Sequence, residues 1–169
     1  MSGSNAEIPL AGGWSTEGVV RVGCTVRRPA HARSTFVREL LDQLAGHGFT
    51  AVPQFLGFDD KGREMLTFIE GDVPHGCRDI TWTDEQLTAS AQLLRSFHDA
   101  TTRTSLLDGR EVVCHGDFGP WNLIWRAGVP KAIIDFDEAA PGERLDDLGH
   151  AAWKHLNIGL LDLDVHEQR

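Results

Sequence analysis

A chain of 169 residues with 41% hydrophobic and 24% charged residues can bury a real core and is short enough for one domain or two small lobes. No stretch approaches the roughly 20 apolar residues of a membrane helix. The start of the chain lacks a basic-then-apolar leader, and Cys24, Cys77 and Cys114 are too scattered for a disulfide framework, so a cytoplasmic, reducing setting is expected. A net charge of -9 disfavours non-specific binding to nucleic acid, which needs a basic face to neutralise phosphates.

In chain order, the Gly-rich start predicts order only towards residue 13, followed by a turn at Ser15 to Gly18. Val19–Val22 and Thr25–Arg28 read as a strand pair around Gly23. From Ser34, a candidate N-cap, Phe36, Val37, Leu40, Leu41 and Leu44 share one helical face, and Gly46 and Gly48 end the pattern. Gln54–Phe58 and Glu64–Ile69 are two further strands around the turn former Asp59-Asp-Lys-Gly62, and Glu70–Pro74 is a candidate hinge. Beyond it the pattern is mostly helical. Thr83-Asp-Glu-Gln86 has capping-box form and opens a helix to His98 with Leu87, Ala91, Leu94 and His98 in one stripe. Short strands at Leu123–Trp125 and Ala132–Ile134 flank a turn at Arg126–Pro130, and a last apolar helix is expected over Leu145–Leu160.

The chemistry concentrates in Cys114-His-Gly-Asp-Phe-Gly-Pro-Trp-Asn122. Gly116, Gly119 and Pro120 oppose a helix, so Asp117 and Asn122 lie on a loop that can aim both side chains inward. Across a predicted hairpin, Ile133-Ile-Asp-Phe-Asp137 delivers Asp135 and Asp137 at the end of a buried strand. Phosphoryl transfer needs this set: a carboxylate to accept the proton of an attacking hydroxyl, and oxygen ligands that hold Mg²⁺ on the phosphates. Asp117 fits the base; Asn122 and Asp135 fit the metal.

The His-x-Asp-x-x-x-x-Asn spacing and the Asp-Phe pair after a hairpin are those of a kinase catalytic loop and metal site. Gly116 after the histidine, and Asp137 where protein kinases have glycine, make the chain resemble the aminoglycoside phosphotransferase and choline kinase-like family instead. The resemblance implies an α+β, two-lobed protein-kinase-like fold, with a small N-terminal β-sheet lobe at 1-70 for nucleotide and a mostly helical catalytic lobe at 71-169. Helices that follow in longer members would be partly missing. It also implies ATP or GTP with Mg²⁺ as donor and a small, often cationic hydroxyl compound as acceptor, with no nucleic-acid or membrane partner. Carried onto this chain, Asp117 is the catalytic base and His115 its structural partner. Asn122 and Asp135 are metal ligands, Asp137 lies beside the metals or the substrate, and Asp147 hydrogen-bonds the loop from the following helix.

The family pattern also assigns the nucleotide half. Gly12 to Gly18, with Gly13 and Gly18, is the candidate phosphate loop; Arg27 or Arg28 stands for the phosphate lysine, with Glu39 as its helix partner; and backbone from Phe68 to Gly71, including Ile69 and Gly71, would meet the base. A different class of function is a weakly active or inactive kinase-like binding or immunity module, because some small relatives that resemble this chain carry a trifolitoxin-immunity label. His75, Cys77, Cys114 and His115 supply four zinc-type ligands, at spacings unlike those of common zinc modules.

Overall fold

β-branched residues around tight glycine turns build the first lobe. The computed structural model describes residues 6–10, 18–74 and 81–156. Strands β1 (Ile8–Pro9), β2 (Val20–Val22), β3 (Thr25–Arg28), β4 (Phe55–Phe58) and β5 (Glu64–Thr67) form an antiparallel sheet in the order β1-β2-β3-β5-β4. The turn between β4 and β5 closes as its composition requires. Asp59 Oδ1 accepts the N–H groups of Lys61 and Arg63, both at 2.9 Å, and Gly62 takes φ +73°. β5 stops at Thr67, short of the expected Ile69.

Helix α1 (Ser34–Gly46) buries Val37, Leu40, Leu41 and Leu44, the face read from the spacing. At about 1.5–3 kcal/mol per buried aliphatic side chain, this stripe outweighs any capping contribution. Ser34 is not its N-cap: it is the first helical residue, and its hydroxyl accepts the His31 N–H at 2.8 Å. The C-terminus closes in a Schellman arrangement, with Gly48 at φ +79°, Gly48 N–H on Ala45 O and Phe49 N–H on Leu44 O. Phe49 thereby reaches the core against Phe97, with ring centroids 6.2 Å apart.

In the second lobe, α2 (Asp84–Thr101) starts with the expected capping box, Thr83 and Gln86 bonding reciprocally. Its buried stripe is Ser90, Leu94, Phe97, His98 and Thr101; Ala91 is exposed. The inward face is thus rotated from the one expected, because Phe97 carries more apolar area than Leu87 or Ala91 and takes the centre of the core. The remaining elements are β6 (Val112–Cys114), β7 (Leu123–Arg126), β8 (Val129–Ile133), β9 (Ala140–Gly142) and α3 (Arg144–His155). β6 pairs with β9, and β7 with β8, all antiparallel. The β7–β8 turn is tighter than expected: Ala127 and Gly128, both at positive φ, make the two-residue turn that matches strand twist, and Pro130 falls inside β8. The described part of α3 ends at His155, so the expected extension to Leu160 lies outside the described residues.

The two lobes meet along backbone as well as side chains. Asp72 and Trp125 exchange N–H···O bonds of 2.8 Å, and Ile133 N–H bonds Ala51 O at 2.9 Å. Gly71 is required here: at φ +147°, a Cβ would stand 2.4 Å from Ile124 Cγ2 and 2.7 Å from Trp125 O. No helix among the described residues is long and apolar enough to cross a membrane.

Candidate active site

β6 is buried along its whole length and delivers His115 into the core, fully shielded from solvent. The imidazole bridges the loop to the far strand: Nε2–H donates to Ile134 O at 2.9 Å, and Nδ1 accepts the Asp117 N–H at 3.2 Å. That pair of bonds requires the neutral Nε2–H tautomer, and burial lowers the pKa of the ring accordingly. Gly116 follows because its backbone, at φ +79°, lies against Glu138; a Cβ would sit 2.4 Å from Glu138 O. Asp147 on α3 anchors this backbone from below. Its Oδ2 accepts His115 N–H at 2.7 Å and His98 Nε2–H at 2.8 Å, and its Oδ1 accepts Gly116 N–H at 2.8 Å. Burial alone would raise this carboxyl; the three hydrogen bonds outweigh it and hold the pKa below the ordinary value. Thr101 fixes β6 itself, accepting Val113 N–H at 3.1 Å.

Gly119 and Pro120 turn the chain into a short 3-10 turn, Pro120–Asn122, which brings Asn122 back to Asp117. Asn122 Nδ2 donates to Asp117 O at 2.9 Å and to Asp117 Oδ2 at 2.8 Å. With Nδ2 committed, Oδ1 is the amide atom left for a cation. Asn122 also accepts Ile134 N–H at 2.9 Å through its backbone, so the hairpin places Asp135 beside it. Asp135 holds φ +64°, a left-handed conformation sparsely populated by residues other than glycine. Burial and the neighbouring Asp137 carboxylate raise its pKa more than Arg28 lowers it. A carboxamide oxygen beside an under-compensated, half-buried carboxylate is a hard-oxygen donor pair that fits Mg²⁺.

Asn122 and Asp135 line one side of a cleft of about 510 Å³. Val26 and Leu66 of the sheet, with Leu10 and Val19 next to its strands, form the other side, and Thr67 to Ile69 with Gly71 to Val73 form the back. Ile69 and Gly71 are in this back wall, and Arg28 projects into the cleft from β3. Arg28 is buried and gathers carboxylates: Asp137 at 2.5 Å to both oxygens, Glu64 at 3.3 Å and Asp135 at 3.9 Å. Asp137 also meets His31 Nε2 at 3.1 Å, so its carboxylate has two nitrogen partners and stands near Asp135.

Other expected residues lie elsewhere. Arg27 points to the opposite face of the sheet, against Thr25 and, at 3.7 Å, Asp59. Glu39 is exposed and bonds Gln43 on its own helix, so the structure brings it to neither arginine. Glu64 on β5 takes the place of the expected helix glutamate. Gly18 is at φ +81° beside Pro29 at the start of β2, whereas Gly13 lies outside the described residues. Of the four zinc-type ligands, His75 and Cys77 are also outside them. Both His115 nitrogens are engaged, and burial with Asp147 and Asp146 nearby pushes the Cys114 thiol up to about 12. His98, Cys114 and Asp147 have ligand-type atoms within 4.8 Å of one another, but the His98 and Asp147 atoms already bond each other.

Sequence reasoning missed Lys154 on α3, whose Nζ contacts Asp117 Oδ1 as an ion pair. A lysine in an amphipathic helix reads as solvated; only its spacing of two helical turns from Asp147 pointed to the same face.

The buried histidines fix the acid response of the fold. His155, whose Nδ1–H bonds Ala151 O at 2.9 Å, lies beside the Phe118 ring, and burial lowers its pKa as it does that of His115. Both folded values lie below the unfolded value of about 6.5. The stabilisation is therefore complete above that pH and declines as pH falls towards the folded values, because only the unfolded chain takes up the protons. The raised Asp135 carboxyl works in the opposite sense at lower pH. The urea midpoint is expected to fall between pH 7.5 and 5.5, with the unfolding free energy dropping by up to about 2–3 kcal/mol for the two rings. An unchanged midpoint would show that neither ring is held neutral.

Comparison with known proteins follows the same geometry. Residues 73–162, more than half of the chain, match the family described as the phosphotransferase enzyme family. The trifolitoxin immunity protein of Rhizobium leguminosarum bv. trifolii is 36% identical over 180 residues, covering 97% of this chain and 67% of that protein. Among solved structures, a choline/ethanolamine kinase family protein from Mesorhizobium loti superposes with TM-score 0.54 at 16% identity, over 95% of this chain and 67% of that one. A putative aminoglycoside phosphotransferase from Ralstonia eutropha jmp134 gives TM-score 0.52 at 13% identity, over 90% of this chain and 65% of that one. The chain thus spans about two thirds of the length of these relatives. The fold is the two-lobed, kinase-like α+β fold, and the chain belongs to the phosphotransferase enzyme family.

Proposed function

We propose that the chain transfers the γ-phosphate of ATP or GTP to a hydroxyl of a small molecule in the cytoplasm, with the lobe boundary near residues 70 and 71. The observation that carries this reading is the bond between Asn122 Nδ2 and Asp117 Oδ2 at 2.8 Å, with Asn122 and Asp135 facing the same cleft. Asp117 is oriented by Asn122 to accept the proton of the attacking hydroxyl. Asn122 Oδ1 and Asp135 would hold Mg²⁺, which when bound neutralises charge on the phosphates. Arg28 supplies a fixed positive charge to the cleft from the strand where family members carry a lysine. His115 keeps the loop backbone in register without exchanging protons, because both its nitrogens are spent.

A second reading, a binding or immunity module with little turnover, draws support from the 36% identity to the trifolitoxin immunity protein and from Arg28, which is held by Asp137 and Glu64. Calorimetry of ATP and GTP binding with and without Mg²⁺ separates the possibilities when combined with a transfer assay over sugars, amino alcohols and aminoglycosides. Wild-type protein is expected to bind nucleotide at least about tenfold more tightly with Mg²⁺, and Asp135→Asn to lose that increment. If no nucleotide binds, the phosphotransferase reading fails; binding without transfer to any acceptor selects the module.

A further inference from the structure

Asp117 has two unlike oxygens. Oδ2 is tied to Asn122, a cleft residue, whereas Oδ1 meets the Lys154 ammonium. Asn122 lines the cleft, whereas Asp117 and Lys154 do not, so on the phosphotransferase reading Oδ1 beside Lys154 is the Asp117 oxygen that an attacking hydroxyl would meet.

Lys154 is held in place. Asp147 and Lys154 are seven residues apart on α3, two turns along one face, so the bonds that anchor Asp147 also fix where Lys154 emerges. Its stem packs against Gly119, where a Cβ would lie 3.1 Å from Lys154 Cδ, and its Nζ stands 5.2 Å from the Trp121 ring centroid. The lysine side chain is 14% exposed, against 34% for Asp117.

An ammonium-bearing acceptor needs surplus carboxylate near the reacting hydroxyl. Among the described residues, three carboxylates packed around this loop are committed: Asp135 and Asp137 surround Arg28, and Asp147 bonds His98 and two backbone N–H groups. Glu138 is exposed and lies against Gly116 through its backbone and Cβ. Within the 115–122 loop itself the carboxylate is Asp117, and it already has a cation.

We propose that Lys154 sets the acceptor class, restricting the site to hydroxyl compounds that carry no cationic amine beside the reacting hydroxyl, such as neutral polyols and hydroxy acids. This rests on the phosphotransferase reading of Asp117. A second ammonium near Lys154 is repelled and also displaces it from Asp117, and like-charge exclusion of this kind discriminates without adding any contact to the favoured substrate.

The test uses the full chain with Mg²⁺-ADP bound, and calorimetric titration with 2-aminoethanol and kanamycin as amine probes. Lys154→Met and Lys154→Gln, with melting curves as a check on folding, are expected to bind the amines about tenfold or more tightly than wild type, and Lys154→Arg to behave as wild type. No gain in amine affinity in either neutral variant overturns the proposal while leaving the phosphotransferase reading intact. Failure of Mg²⁺-ADP to bind wild type overturns both.

Discussion

Asp117→Asn is expected to lower phosphate transfer by about 10²- to 10⁴-fold, the range that a positioned general base contributes. The change is close to isosteric, and the bonds that shape the loop do not depend on the lost charge. The Asp117 N–H still meets His115 Nδ1, and the substituted amide oxygen still accepts from Asn122 Nδ2. What disappears is the carboxylate that takes the proton, along with the ion pair to Lys154. Because Asp117 does not line the cleft, the dissociation constant of Mg²⁺-nucleotide should stay within about threefold of wild type, so the defect falls on kcat. Asp135→Asn should show the converse, a loss in metal-dependent binding. Steady-state kinetics together with calorimetry on the two variants check this division. Transfer at the wild-type rate by Asp117→Asn would remove it from the role of base.

The 115–122 loop was legible because its determinants are local. Glycine and proline at fixed positions forbid a helix, and the Asp and Asn between them face one another for that reason. Asp147 was assigned by family pattern, and the structure gives the physical cause, three donors that converge on one buried carboxylate. The nucleotide side was less legible, since strand alternation says that Arg27 and Arg28 face opposite ways but not which one faces inward. Glu64 replaces Glu39 as the arginine's first-lobe partner because β3 and β5 are in register, Arg28 opposite Glu64, a pairing that no local pattern encodes. β9 escaped notice for a related reason: Ala140-Pro-Gly142 has poor strand propensity and pairs only because the buried β6 offers it a ladder. Lys154 depends on where α3 docks, which is a tertiary fact.

The docking of α3 yields the largest stability effect expected. Asp147→Ala leaves His98 Nε2–H, His115 N–H and Gly116 N–H without their acceptor in a region closed to water. Each abandoned donor costs about 1–3 kcal/mol, and with partial relaxation around the three a loss on the order of 3–5 kcal/mol is expected, the range for removing one partner of a buried charged pair. That is a large part of the 5–15 kcal/mol typical of a whole domain. Asp147→Asn keeps the volume but places an NH₂ where a carboxylate oxygen stood. On the Oδ1 side it opposes Gly116 N–H, and on the Oδ2 side it opposes His115 N–H. Either orientation strands one backbone donor, so the asparagine variant should fall between wild type and alanine, at roughly 1–3 kcal/mol. Urea unfolding at pH 7.5 provides the measurement, with order wild type, asparagine, alanine. An unfolding free energy for alanine within about 1 kcal/mol of wild type would mean that water or backbone movement satisfies the three donors. The 115–122 loop would then owe its shape to His115 and Gly116, with α3 packed against it as a passive neighbour.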